Sequence, residues 1–105
     1  GNLIYTIKKD RDNNSMEKWW GDTLIATYQK QDNNQWEIQY LDGGYNQSVY
    51  IGTINNKHQP DGEGTMTFRD KRTFKGNFQD GKPDGDGIIS NPDGTSHVGR
   101  WRWVS

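Results

Sequence analysis

Two short segments place glycine beside acidic side chains, a combination that is found in metal-binding loops. They read DGEG at 61–64 and DGDG at 84–87. The second segment and the residues before it offer three carboxylates that could bind a calcium ion: Asp80, Asp84 and Asp86. Lys82, however, lies where the helix–loop–helix calcium pattern requires Asp or Asn, and no Glu follows at the last ligand position. We therefore interpret both segments as structural turns and expect neither a metal nor a cofactor.

The chain also has few residues of the types that carry out nucleophilic catalysis. The chain has no cysteine, and its two histidines, His58 and His97, lie far apart in the sequence, one in a loop-like segment and one at a strand start. Neither has a convincing Ser-His-Asp context. Most of the acids fall in turn-like segments, where Asp is favoured for its hydrogen bonds to the local backbone. We expect a protein that is not an enzyme.

Composition indicates one small domain with an aromatic core. The chain has 105 residues, of which 29% are hydrophobic, but five Trp, five Tyr and three Phe supply large side chains for burial. Thirteen basic residues balance fourteen acidic ones, which gives a net charge of −1. Binding to nucleic acid requires a basic surplus or a basic face, so we expect no nucleic-acid partner.

The start of the chain and its apolar runs bear on its origin. It begins at Gly1 rather than Met, and its longest apolar runs cover only a few residues, as at 24–26, too few to span a membrane. We expect a domain of a larger bacterial protein, in the cytoplasm or at the cell envelope. Residues upstream of Gly1 would decide between these compartments.

Glycines and aspartates repeat along the chain with a period of about 23 residues, which indicates a repeated structural unit. Gly52, Gly76 and Gly99 follow one another at nearly equal intervals. These glycines lie in YIGTI, FKGNF and HVGRW, which share an aromatic residue or histidine two positions earlier. The same interval separates two further glycine pairs, 62 with 85 and 64 with 87, and the aspartates at 70 and 93. Three kinds of marker therefore agree on one period.

Each unit has the pattern of a β-hairpin. Alternation places Tyr50, Gly52 and Ile54 on one face of a strand, and Met66 and Phe68 form a matching stripe on the next strand. Residues 55–64 would form a glycine-rich loop between these strands, and an Asp-led turn would lead into the next hairpin. No long amphipathic helix pattern occurs. We predict an all-β fold of successive antiparallel hairpins.

The first half of the chain is less regular. LIYTI at 3–7 alternates like a first strand, and SMEKWW at 15–20 could form a single helical turn capped by Ser15. WWGDT at 19–23 resembles a degenerate start of the repeat, and WEIQYLDGG at 36–44 resembles a second strand and its turn. The single domain, 1–105, then divides into a diverged N-terminal part, 1–49, and repeats at 50–73, 74–96 and, truncated, 97–105.

The combined pattern at this spacing resembles the MORN (membrane occupation and recognition nexus) repeat. It is carried by YIGTINNKHQPDGEGTMTFRD at 50–70 and FKGNFQDGKPDGDGIISNPDG at 74–94, with HVGRW at 97–101 as the start of a third copy. The chain departs from the family pattern where Asn91 replaces an aromatic residue and Lys71 a glycine. The resemblance implies an elongated, twisted sheet of hairpins with aromatic residues along one face, a role in protein interaction or assembly, and no catalytic residues.

One face of the predicted sheet carries a stripe of six aromatic residues: Tyr50, Phe68, Phe74, Phe78, Trp101 and Trp103. The stripe could form the core, packed between repeats and beneath the N-terminal part. Alternatively it could be a partly exposed groove and therefore a binding surface. A single sheet with one apolar face must cover that face, either with residues 1–49 or with a partner. The opposite face, which carries Thr53, Lys75 and Asn77, has the character of a solvated surface.

We therefore predict a non-catalytic interaction or scaffold module that binds a protein or peptide partner along the aromatic face. The alternative is a cell-envelope module for carbohydrate or lipid, because short aromatic, glycine-rich hairpins also resemble cell-wall-binding repeats. In that case Trp19, Trp20, Trp101 and Trp103 would contact a sugar or a quaternary ammonium group. Unpaired strands at the ends of the array could also pair two chains into a dimer.

Overall fold

Nine antiparallel β-strands form one open sheet in which every strand lies beside its neighbours in sequence. The computed structural model describes residues 4–41 and 47–101, without the side chains of Arg100 and Trp101. The strands are β1 Tyr5–Lys9, β2 Ser15–Trp20, β3 Thr23–Lys30, β4 Trp36–Tyr40, β5 Val49–Ile54, β6 Pro60–Thr67, β7 Thr73–Gln79, β8 Lys82–Ser90 and β9 Ser96–Trp101. The prediction of an all-β sheet of successive hairpins is confirmed.

The described residues contain little helical structure. A single 3₁₀ turn at Asp32–Asn34 connects β3 to β4 and is the one helical element among the described residues. In that part of the chain, no helix has the length and apolar character needed to cross a membrane. The molecule measures 43 × 32 × 23 Å along its principal axes, as expected for an elongated sheet.

The core lies on one face of the sheet, along a row of side chains that pair from strand to strand. Antiparallel partners point to the same face, so the register from β2 to β8 brings these side chains into contact. The row consists of Met16, Tyr28, Ile38, Tyr50, Met66, Phe74 and Ile89. All but Ile89 are at most 5% exposed. The N-terminal strands therefore extend the core sideways as part of the same sheet.

The loop at 55–59 supplies part of the cover for this core face. It folds back over β3, where the Tyr28 hydroxyl donates a hydrogen bond to the His58 carbonyl oxygen at 2.9 Å. The rings of these two residues meet edge to face, with centroids 6.3 Å apart. Pro60 is fully buried, and its carbonyl oxygen accepts a hydrogen bond from the Gly81 amide at 2.8 Å. Hairpin loops therefore pack onto the core face of their own sheet.

The strand after each loop begins earlier than the sequence predicts. Residues 60–64, predicted as the end of a glycine-rich loop, belong to β6. Within them, three residues of β6, 61–63, lie opposite a single residue of β5. This bulge puts Gly62 at a φ of +89°, a conformation that glycine tolerates, and β8 has the same bulge with Gly85 at +80°. The loop prediction was wrong from residue 60 onward, because glycine lets the strand bulge and continue.

The segment at 15–20, predicted as a helical turn, is strand β2. That prediction was wrong because β2 pairs on both sides, with β1 and β3, and this pairing outweighs a local capping preference. The Ser15 hydroxyl donates a hydrogen bond to the Asp10 carboxylate at 3.0 Å and so closes the β1–β2 turn. Gly21 lies in the β2–β3 turn at a φ of +58°.

The Asp-led turns predicted between hairpins are present. The Asp70 carboxylate accepts a hydrogen bond from the Arg72 amide at 3.0 Å, and the Asp93 carboxylate accepts one from the Thr95 amide at 2.9 Å. The bonds from the Arg72 amide to Asp70, and from the Thr95 hydroxyl and amide to Asp93, hold the pKa of each carboxyl below its usual value. Asp70 also pairs with the Arg72 guanidinium at 2.7 Å, but both side chains are exposed, so this ion pair adds little stability.

A second row on the core face consists of glycines that lie opposite one another from β5 to β9: Gly52, Gly64, Gly76, Gly87 and Gly99. Aromatic rings lie directly against this row. A Cβ atom added to Gly64 would lie 2.5 Å from the nearest atom of the Tyr50 ring, and one added to Gly87 would lie 2.5 Å from the Phe74 ring. Side chains do not approach so closely. The repeated unit is therefore an aromatic ring seated on glycine backbone.

Replacing Gly64 with alanine should destabilise the fold, because the new methyl group would overlap the Tyr50 ring. Overpacking a close-packed interior costs about 1–3 kcal/mol, so the midpoint of urea unfolding should fall clearly. The control is Gly94→Asn, at a turn position with a φ of +93° and open space around it. Asn tolerates such a conformation, and this variant should stay within about 0.5 kcal/mol of wild type. A Gly64→Ala protein of wild-type stability would contradict the packing.

His58, in the loop over β3, should make the fold sensitive to mild acid. Burial lowers the pKa of its imidazole below the usual 6.5, and the ammonium groups of Lys9 and Lys18 lower it further. The unfolded chain then takes up a proton at a higher pH than the folded chain. The free energy of unfolding should therefore fall as the pH drops through about 6.5 towards the lowered pKa.

The variant His58→Asn isolates this contribution, because Asn also suits the φ of +63° at that position. Urea unfolding of both proteins at about pH 8 and about pH 5.5 is the measurement. We expect the wild type to lose more stability than the variant between the two conditions. Equal losses in the two proteins would show that His58 titrates alike in the folded and unfolded states.

Candidate binding surfaces

The predicted aromatic stripe lies largely in the interior. Tyr50 and Phe74 are 0% exposed and Phe78 is 3% exposed, while Phe68 is half-buried and packs against the same core. Trp101 belongs to β9, but its side chain lies outside the described part of the chain, as does all of Trp103. Four of the six predicted site residues thus meet in one buried aromatic cluster.

The buried rings interlock. Phe78 stands edge to face against both Tyr50 and Phe74, with ring centroids 4.9 and 5.6 Å apart. The Tyr50 hydroxyl donates a hydrogen bond to the Thr53 carbonyl oxygen at 2.6 Å, so the polar end of this buried ring has a partner. Burial raises the pKa of the Tyr50 phenol, which keeps it neutral. In the intact sheet these rings contact other parts of the chain, and a partner cannot reach them.

An exposed aromatic pair lies at the edge of the sheet. Tyr5 of β1 and Trp20 of β2 are register partners with ring centroids 4.5 Å apart, and they are 59% and 38% exposed. The Lys18 ammonium lies 4.7 Å from the centroid of the Tyr5 ring, and burial lowers the pKa of Lys18. We call Tyr5, Lys18 and Trp20 the edge patch. Sequence reasoning singled out Trp20 but missed Tyr5, whose only signal was its place in an alternating strand.

The opposite face of the sheet carries a concavity of about 480 Å³ across β1–β4, which we call the outer groove. Its polar lining alternates along the strands with the buried Met16, Tyr28 and Ile38, and therefore points away from the core. The lining includes Lys8 of β1, Glu17 of β2, Thr27 and Gln29 of β3, and Glu37 and Gln39 of β4. Sequence reasoning missed this groove, because its residues look like any solvated strand face.

Trp19 links two side chains at the rim of the outer groove. The Lys8 ammonium lies 4.6 Å from the centroid of the Trp19 ring. The indole N–H of Trp19 donates a hydrogen bond to the Glu17 carboxylate at 3.2 Å. Lys8 and Glu17 are also register partners on adjacent strands. The indole ring thus holds one cation and one anion side by side.

The acids of the glycine–acid segments serve the backbone or face solvent. The Asp61 carboxylate accepts a hydrogen bond from the Asp80 amide at 3.3 Å and so ties β6 to the β7–β8 turn. Asp84 and Asp86, which flank Gly85 within the bulge of β8, are exposed. Across residues 4–41 and 47–101, no group of three or more His, Asp or Glu side chains converges as a metal site would require.

Comparison with known proteins adds little to this geometry. No protein-family model matches the chain. Among curated proteins, a Plasmodium falciparum protein with the name inactive protein tyrosine kinase pTKL is 35% identical over 52 residues. The match covers 50% of this chain but only 4% of the relative. Half of the chain is thus similar to a small part of that protein, and the resemblance to MORN repeats stays a prediction.

Proposed function

We propose that the chain is a non-catalytic interaction domain of a larger protein, and that it binds a peptide segment of a protein partner at the edge patch. The observation that carries this proposal is the exposed pair Tyr5–Trp20 beside a strand that pairs on one side only among the described strands. A role without catalysis agrees with the name of the relative, an inactive kinase, of which the chain matches 4%. The proposal keeps the predicted partner but moves the surface away from the buried cluster.

Strand β1 offers a backbone edge to such a peptide. Of the described strands, only β2 pairs with it, so its outward N–H and C=O groups can bond to an added strand. In strand addition, backbone hydrogen bonds supply affinity, and pockets for alternate side chains supply specificity. A peptide that extends the sheet at β1 would place every second side chain on the face that carries the edge patch.

The edge patch has the character of an interface anchor. Aromatic residues bury a large area with few rotatable bonds, and they often contribute most of the binding energy. Lys18 adds a positive charge next to the Tyr5 ring. Charge complementarity favours a partner with an acidic side chain at that point. We therefore expect the peptide to carry alternating apolar residues with an acidic residue among them.

Selection of random linear peptides displayed on phage, with the domain immobilised, tests this proposal. We expect the enriched peptides to share the alternating apolar pattern. The double variant Tyr5→Ser/Trp20→Ser should bind them at least about tenfold more weakly, because an aromatic anchor contributes upward of about 1–2 kcal/mol. The matched control is Val98→Ser, which changes a 77% exposed residue on β9 at the other end of the sheet and should bind like wild type.

Urea unfolding of each variant shows whether the sheet is intact, since the changed residues are at least 38% exposed. Enriched peptides that bind the double variant as tightly as the wild type would contradict the location of the site. A selection that enriches no peptide over an empty surface would contradict peptide binding itself.

A further inference from the structure

We propose that the outer groove binds a short, uncharged saccharide chain, at a surface separate from the edge patch. Its volume of about 480 Å³ lies within the range of roughly 300–1,000 Å³ that small-ligand sites occupy. Four adjacent strands, β1–β4, form its floor, and continuous antiparallel pairing fixes their positions. The site is therefore built on rigid elements.

Three neighbouring side chains in the groove have hydrogen-bonding capacity that the protein does not use. Thr27 and Gln39 are register partners on β3 and β4, and Glu37 lies two positions from Gln39 on the same face. Within the described part of the chain, none of these three side chains has a hydrogen bond or an ion pair. Thr27 and Glu37 are half-buried. Gln39 is exposed, so one fully accessible and two partly shielded side chains are free to bind a ligand.

The chemistry of these three groups matches sugar hydroxyls. A hydroxyl group both donates and accepts hydrogen bonds. The Thr27 hydroxyl and the Gln39 amide offer donors and acceptors, and the Glu37 carboxylate offers acceptors only. A chain of sugar units, with hydroxyls around each ring, can satisfy all three at once. An apolar ligand would leave them unpaired, at a cost in affinity.

The charge of the groove favours a neutral ligand. The side chain of Lys8 lies on this face with the carboxylates of Glu17 and Glu37, and Asp10 also belongs to the lining. Lys9 alternates with Lys8 along β1, so its ammonium group points to the core face. Recognition of phosphate depends on clustered Arg side chains or an excess of positive charge, which this lining lacks. The mixed polar and apolar lining also differs from the mostly apolar walls that bind drug-like ligands or lipid chains. A neutral polyhydroxylated ligand needs neither an excess of positive charge nor a mostly apolar wall.

The charged side chains at the rim of the groove already make contacts with other groups of the protein. The Asp10 carboxylate accepts hydrogen bonds from the Asn14 amide at 2.9 Å and from the Ser15 hydroxyl at 3.0 Å. Lys8 and Glu17 are both engaged with Trp19, as described above. Side chains that are held before binding lose less conformational freedom when a ligand arrives. The rim thus shapes the groove, and the free groups on its floor make the contacts.

Titration of the ¹⁵N-labelled domain with chitotetraose, cellotetraose and maltotetraose, followed by NMR, tests the proposal. We expect at least one of them to shift amide signals of β1–β4 in a saturable way. The double variant Thr27→Val/Gln39→Ala should weaken that binding at least about tenfold, because it removes two sets of hydrogen bonds without a change of charge. Its amide spectrum away from the groove should match that of wild type.

Two controls separate this site from other surfaces. Thr65→Val makes the same hydroxyl-to-methyl change on the outer face of β6, beyond the groove, and should leave saccharide binding unchanged. Trp20→Ser alters the edge patch and should also leave it unchanged. The saccharide titration therefore tests the outer groove alone, and the peptide selection tests the edge patch alone.

The proposal is overturned if none of the three saccharides gives a saturable shift, or if the shifts cluster outside β1–β4. Equal affinity of the wild type and Thr27→Val/Gln39→Ala would also overturn it, because the floor of the groove would then make no contact.

Discussion

Tyr50 and Phe74 can pack directly against the sheet only because the backbone beside them is glycine, and the rest of the structure depends on this contact. A Cβ atom at Gly64 or Gly87 would fall 2.5 Å from the nearest ring atom. Close packing of the rings on their own sheet lets one layer bury them beneath hairpin loops such as residues 55–59, where most folds need a second layer. Phe78 then packs edge to face on both rings and links consecutive repeats.

Burial of these rings also decides which surfaces remain for binding. The repeats at 50–96 bury most of their aromatic side chains in the core and therefore provide a stable frame for the sheet. The N-terminal strands are different, because they carry exposed rings at the edge of the sheet and a polar concavity on its outer face. The half of the chain with the weaker repeat pattern thus carries both of the surfaces that we propose for binding. In this proposal, the regular repeats supply the frame and the diverged strands supply recognition.

The regular spacing of glycines and aspartates was sufficient to predict the hairpins, because it records one packing unit used twice. The spacing could not distinguish the roles of Gly62 and Gly64. Gly62 adopts the positive φ of a bulge, whereas Gly64 leaves room for the Tyr50 ring, and in the sequence both are simply glycines at the same interval. Strand β2 was missed because its pairing partners lie in other segments. Of the residues on the candidate surfaces, Trp20 could be singled out in the sequence as a tryptophan. Tyr5 and Thr27 could not, because only strand pairing places them beside Trp20 and Gln39.

The α-protons of Gly64 and Gly87 report most directly on the contact between ring and backbone. Protons that lie beneath an aromatic ring are shifted upfield by its ring current, and they show nuclear Overhauser effects to the ring protons. We expect both effects, from Tyr50 at Gly64 and from Phe74 at Gly87, in the NMR spectrum of the folded domain. Random-coil chemical shifts at these two glycines, with no Overhauser contact to either ring, would contradict the contact between ring and backbone.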